Sequence, residues 1–160
     1  MTSQVPDHEY FMKLALAQAQ LAYDAGEVPV GAVVVCNDQV VAAAHNLRES
    51  TNDPTAHAEM LAIRAASQNL GRWRLTGCTL YCTIEPCPMC AGALVLSRID
   101  RLVYGAADPR AGACGSLLDL PRNPALNHRV EVIAGVLAEE CSTLMKGFFA
   151  NLRTEGCRSG

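Results

Sequence analysis

The chain has 160 residues, 50% of them hydrophobic and 18% charged. That composition excludes wholesale disorder and leaves room for one domain spanning residues 1–160 rather than two independent cores. Thirteen Lys and Arg stand against 16 Asp and Glu, net −3, which excludes a broad basic surface for sequence-independent nucleic-acid binding but permits a local patch.

Asp7 to Ala25 reads as a helix, with Asp7 as N-cap and Gly26 as its stop. Tyr10, Phe11, Leu14, Ala17 and Leu21 give it an apolar face at helical spacing. Val30–Cys36 and Gln39–Ala44 flank Asn37-Asp38, the signature of a two-residue hairpin turn. A polar loop, His45 to Asn52, follows. Asp53-Pro54 then reads as an N-cap with proline at the first helical position, and the helix runs through Ala56 to Asn69 and ends near Gly71.

Thr79–Ile84 is a β-rich run, Pro86–Ser97 is helix-like and Arg101–Tyr104 is strand-like. A strand, a crossover of about a dozen residues and a second strand form a βαβ unit, so these strands should be parallel. Gly105–His128 is long and rich in Gly, Ala and Pro, with a short helix expected at Ser116–Leu120. Arg129–Ala134 reads as a fifth strand and Leu137–Leu152 as a closing helix; Thr154–Gly160 is an unassigned tail. The expected fold is α/β: a mixed five-stranded sheet in a three-layer α/β/α domain. No apolar run approaches the roughly 18 residues of a membrane span, and the N-terminus lacks the pattern of a signal peptide. The expected location is cytoplasmic.

Cysteine occurs eight times. Without a signal peptide, a disulfide framework is not expected. Cys36, Cys78, Cys82 and Cys141 sit in or beside apolar runs and read as small buried hydrophobes. Cys87 and Cys90 differ, because Cys-x-x-Cys places two thiols within reach of one ion. Of the four histidines, only His57 opens a predicted helix beside a carboxylate, Glu59. His57, Cys87 and Cys90 make three ligands, and three ligands leave the fourth zinc position open for chemistry. Two thiolates and a neutral imidazole leave zinc formally neutral, which better retains Lewis acidity than four thiolates would. A thioredoxin-like redox reading of Cys-x-x-Cys leaves His57-Ala-Glu59 unexplained. Spacing alone does not bring Glu59 to the metal, since positions i and i+2 of a helix project about 200° apart.

His57-Ala-Glu59 with Pro86-Cys87-Pro-Met-Cys90 resembles the signature of the zinc-dependent cytidine/deoxycytidylate deaminase superfamily. Further segments narrow the resemblance to its bacterial tRNA-specific adenosine deaminases: Glu27-Val-Pro-Val-Gly-Ala32, Asp53-Pro-Thr-Ala-His-Ala-Glu59, Thr83-Ile-Glu-Pro-Cys-Pro-Met-Cys-Ala-Gly-Ala93, Gly105-Ala-Ala-Asp108, Gly112-Ala-Cys-Gly-Ser116, Asn127-His-Arg-Val-Glu131 and Phe148-Phe149. The resemblance covers about Asp7 to Arg153. It implies a homodimer with one zinc per chain, held by His57, Cys87 and Cys90, and a tRNA anticodon stem-loop as substrate. Glu59 would carry protons from the attacking water to the ring nitrogen and help ammonia leave. Asn46 would hydrogen-bond the base, and the Ala58 backbone N–H would hold the attacking oxygen. Asp108, Arg110 and Phe149 would contact flanking nucleotides. Arg48 stands where a small residue or proline is expected.

Three readings of function compete. The first is wobble adenosine-to-inosine editing of tRNA. The second is a free nucleobase or nucleoside deaminase acting on guanine or cytosine, which shares the zinc motif but needs no RNA surface. The third is a zinc-stabilised binding module, which has no use for Glu59.

Overall fold

A computed structural model describes residues 6–158, with side chains described through Glu155. Helix α1 (His8–Asp24) begins where Asp7 caps it: the Asp7 carboxylate accepts a hydrogen bond from the Tyr10 amide at 3.0 Å. Strands β1 (Gly31–Cys36) and β2 (Gln39–His45) form the expected hairpin. Both turn residues adopt the left-handed conformation, Asn37 at φ 52° and Asp38 at φ 58°, as a primed turn requires. The remaining elements are α2 (Ala58–Leu70), β3 (Cys78–Ile84), α3 (Pro88–Leu96), β4 (Arg101–Ala106), β5 (Glu131–Ala134) and α4 (Ala138–Arg158).

The sheet order is β2-β1-β3-β4-β5. β1 runs antiparallel to both β2 and β3, while β3, β4 and β5 run parallel. The sheet is therefore mixed, as the hairpin and the βαβ crossover imply. Side chains alternate between two cores along each strand. Val34, Leu80 and Leu102 point to one face and pack against Ala62, Ala66 and Leu94 of α2 and α3. Val33, Tyr81 and Val103 point to the other and meet Phe11, Met12 and Ala15 of α1 and Cys141 of α4. These are the three layers. All six residues of β1 are buried, because helices cover it on both sides.

Four local expectations change. The buried face of α1 is Phe11, Met12, Ala15, Ala19 and Ala22, while Tyr10 and Leu21 are exposed. The reason lies across the interface: a Cβ at Gly31 would collide with the backbone of Ala15 and Ala19. The helix lies directly on the strand, and only small residues fit between them. Second, α2 starts at Ala58 with His57 as N-cap. The Asp53 carboxylate instead closes a preceding turn, accepting from the Thr55 amide and hydroxyl at 2.8 and 2.7 Å. Third, Ser116–Leu120 is not helical. Gly115 sits at φ 136°, and Cys114 bridges to Asp119. Fourth, α4 continues through Thr154–Arg158, so most of the unassigned tail is helix; Ser159 and Gly160 lie outside the described residues.

Cys36, Cys78, Cys82 and Cys141 are buried, as their apolar surroundings imply. No helix among the described residues is long and apolar enough to cross a membrane.

A metal centre at the carboxyl ends of the parallel strands

The site forms where β3 and β4 end, the usual place for a ligand in a parallel sheet. His57 and Cys87 occupy equivalent local positions. Each is the N-cap of its helix, α2 and α3 respectively, with extended backbone. Neither side chain makes a capping hydrogen bond. Both side chains turn instead toward one point shared with Cys90. His57 Nδ1 lies 3.6 Å from Cys87 Sγ and 3.5 Å from Cys90 Sγ. A tetrahedral zinc with Zn–S of about 2.3 Å and Zn–N of about 2.05 Å requires an N···S edge of about 3.6 Å. The three residues therefore fit zinc by both chemistry and geometry, and no ligand need move far to bind it. Among the described residues, these three form the His/Cys/Asp/Glu cluster with metal-binding geometry.

The local electrostatics also suit a cation. Hydrogen bonds from Cys90 and His57 hold the Cys87 thiol down to about 4, against the effect of burial. The same bond to Cys87, together with burial, pushes the Cys90 thiol up. The bond with Cys87 raises the His57 imidazole. Both cysteines bind a metal as thiolates, so metal binding displaces any proton left on them.

Glu59 is buried and borders the same cavity as His57. The geometric obstacle from sequence spacing disappears because His57 is outside the helix, at ψ 149°, while Glu59 is within its first turn. Desolvation raises the Glu59 pKa, which is the direction a proton carrier needs near neutral pH. Ala58 lines the cavity too. Its amide belongs to the first turn of α2, where a helix offers donors without internal acceptors.

The cavity measures about 640 Å³. Beyond the residues above, Asn46 and Arg48 line it from the loop after β2, and Asp108 and Arg110 from the loop after β4. Lys146 and Phe149 line it from α4. The Asn46 side chain is itself fixed: its Nδ2 donates to the Val28 carbonyl at 3.2 Å and its Oδ1 accepts from the Arg48 amide at 3.1 Å. One hydrogen and one lone pair remain for a ligand. The Asp108 carboxylate accepts from the amides of Arg110 and Ala111 at 3.0 and 3.2 Å, so it shapes the loop as well as facing the cavity. The aromatic pair divides. Phe148 is buried edge-on against Tyr23 at 5.7 Å, whereas Phe149 is 41% exposed at the cavity rim. Asn127–Glu131 does not line the cavity. His128 bonds the Ile99 carbonyl at 2.8 Å and Glu131 pairs with Arg101 at 2.9 Å, which fixes the approach to β5.

Two residues without a sequence-based assignment prove central. Glu27 is fully buried and its carboxylate accepts from the Glu49 amide, the Ser50 amide and the Ser50 hydroxyl at 3.1, 2.5 and 2.7 Å. Burial opposes its ionisation, but the bonds from Ser50 and Glu49 win and lower its pKa. Glu85 is likewise buried beneath the loop after β4, and the bonds from Ser116, Asp108 and Cys114 outweigh burial to keep its pKa low. The available signal was an acidic residue set inside an apolar run, in Val28-Pro-Val30 and Thr83-Ile84 surroundings.

Residues 5–106 match the family model for the cytidine and deoxycytidylate deaminase zinc-binding region. The chain is 52% identical to the tRNA-specific adenosine deaminase of Bacillus subtilis over 91% of this chain and 90% of that one. It superposes with a TM-score of 0.82 on a structure from work on A-to-I editing by tRNA:A34 deaminases, at 44% identity, covering 84% of this chain and 98% of that one. A guanine deaminase structure from Bacillus subtilis gives 0.63 at 35% identity, covering 93% and 95%. The family model, the relatives' identity and the superposition agree: the chain belongs to the tRNA-specific adenosine deaminases of the zinc-dependent cytidine and deoxycytidylate deaminase family.

Proposed function

We propose that this protein hydrolyses adenosine to inosine, releasing ammonia, at the wobble position of a tRNA anticodon stem-loop. The carrying observation is the composition of the cavity rim. Arg48, Arg110 and Lys146, from three separate elements, surround a buried carboxylate and a zinc triad in a chain of net charge −3. A free base needs no cations at the mouth; a base still attached to its phosphodiesters does. Phe149 at the same rim offers a stacking face to a splayed neighbour.

His57, Cys87 and Cys90 hold the metal. Bound zinc supplies Lewis acidity, lowering the pKa of water to about 7. Glu59 accepts one proton from the attacking water and delivers it to the ring nitrogen beside C6, then passes the second proton, from the oxygen now bonded to C6, to the amine, which leaves as ammonia. The Ala58 amide holds the attacking oxygen, and Asn46 reads the purine edge with its remaining donor and acceptor. Asp108, Arg110 and Phe149 hold flanking nucleotides. The chain works as a single catalytic domain in the cytoplasm.

The protein acts as a homodimer. In support, Trp73 and Leu96 are exposed, at 59% and 72%, in two segments joined by the Leu75 amide's bond to the Ser97 carbonyl at 2.7 Å. Exposed apolar side chains of this size mark contact surfaces. Light scattering giving a 17 kDa species at working concentration would reject the dimer.

The test of activity is an inosine assay comparing an anticodon stem-loop with free adenosine, guanine and cytosine at one salt concentration. Faster turnover of any free base or nucleoside favours the second reading.

A further inference from the structure

Glu85 follows β3 and lies two residues before Cys87, and its carboxylate is held by the loop after β4. Four donors surround it. Oε1 accepts from the Asp108 amide at 3.0 Å and the Ser116 hydroxyl at 2.5 Å. Oε2 accepts from the amides of Cys114 and Ser116, both at 3.0 Å. A carboxylate has about four acceptor sites, so this one is saturated. The fit leaves no slack: a Cβ at Gly112 would fall on the Glu85 carboxyl carbon and on the Asp108 carbonyl. The loop is tied to the metal segment a second time, through the Ala113 amide on the Pro86 carbonyl at 2.9 Å. One face of the wrapped segment, from Ala107 to Ala111, is a wall of the cavity.

We propose that Glu85 is a positioning residue for substrate: its carboxylate gathers residues 108–116 into the wall that receives the nucleotides flanking the target base, in fixed register with the metal ligand Cys87. The proposal rests on RNA being the substrate. A glutamine cannot replace this carboxylate. Its NH₂ would face two donors, because every partner of Glu85 donates. Loss of the wall should weaken RNA binding more than the chemical step, since Glu59 and the zinc ligands belong to other segments.

The test compares the wild type, Glu85→Gln and Ser116→Ala, each as the zinc-loaded full chain. With an anticodon stem-loop, Glu85→Gln should raise KM about 10- to 100-fold while kcat changes less than about threefold, because charge-assisted bonds are lost at a binding wall rather than at the reacting atoms. Ser116→Ala removes the hydroxyl and spares the three amide bonds, so its KM should rise only about three- to tenfold. Zinc content should stay at one per chain in both. Independently of activity, hydrogen exchange at the amides of Asp108, Cys114 and Ser116 should accelerate in Glu85→Gln while the β1–β3 ladder keeps its protection.

If Glu85→Gln does not fold, the Ser116→Ala shifts in KM and exchange decide the matter. The proposal is overturned if KM is unchanged, if kcat falls while KM stays constant, if zinc is lost from a folded variant, or if exchange at the loop amides is unaltered. A wild type that leaves the stem-loop unmodified refutes the substrate reading instead, and the exchange experiment still reports on the clamp.

Discussion

Glu59 and Cys87 lie within one site but should respond differently to removal. Cys87 and Cys90 each lie at the N···S spacing from His57 that a zinc tetrahedron requires, 3.6 and 3.5 Å. Cys87→Ala or His57→Ala should therefore drop zinc content from one per chain toward zero and destabilise the fold, because the binding energy of the ion supports the folded state. Full metal occupancy in a folded Cys87→Ala protein, by elemental analysis, would reject the ligand assignment. Glu59 is buried beside this centre without belonging to the triad. Glu59→Ala should keep the metal and the fold and lose about 10²- to 10⁴-fold in rate, the usual worth of proton transfer. Zinc loss in that variant would instead make Glu59 a ligand.

Between elements, the contact of α1 with β1 and the hold of Glu27 on the loop after β2 are both open to measurement. Gly31 leaves the strand backbone bare beneath Ala15 and Ala19. Gly31→Val should push the helix off the sheet and cost about 1–3 kcal/mol or more, the range for overpacking a core. A urea midpoint equal to that of the wild type, with unchanged slope, would show that the helix can shift freely. Glu27 is ionised in the fold with its pKa below the ordinary 4.5. A depressed carboxylate contributes stability above its unfolded pKa, and that contribution is lost as pH falls through the folded value. Stability should thus decline on acidification below about pH 4.5, where the unfolded chain begins to take up the proton. Glu27→Gln should lower stability at pH 7 by about 1–3 kcal/mol, the cost of unsatisfied buried donors, and flatten the acid limb. Denaturant titrations at pH 7 and pH 4 read both effects; an identical acid limb in the variant would remove Glu27 from the explanation.

Across the whole molecule, charge and shape point the same way. The chain is acidic overall, so attraction to RNA must come from a few placed cations. Arg48, Arg110 and Lys146 supply three at the cavity. If each meets a phosphate of a single-stranded loop, affinity should fall with salt with a log–log slope of about −2, from roughly 0.7 per contact. Binding titrations of the stem-loop across salt concentrations give the slope directly. A slope near zero would show that these cations do not engage the backbone. Scrambling the loop should abolish conversion, whereas lengthening the stem should not, because recognition rests on splayed bases in a folded loop.

The sequence by itself determined what depends on neighbours along the chain. Asn37-Asp38 dictates a primed turn, Asp7 caps the helix that follows it, and a strand–helix–strand run fixes β3 and β4 as parallel. The zinc set was legible for a similar reason: His57, Cys87 and Cys90 announce themselves by residue type and by their places at helix starts. The tertiary structure decided what depends on which surfaces meet. Helical periodicity favoured Tyr10 and Leu21 for the buried face of α1, but the close approach of Gly31 selects small residues. Phe148 and Phe149 are indistinguishable in sequence, and only the packing of α4 against Tyr23 assigns one to the core and the other to the cavity rim. Ser116–Leu120 carries helical residues, yet Ser116 is committed to Glu85 through bonds that span 31 positions of sequence. Glu27 and Glu85 stand in segments that carry the family resemblance, but neighbours along the chain assign neither of them a role. Their importance comes from donors far along the chain, and a buried charge finds such partners only when the fold delivers them.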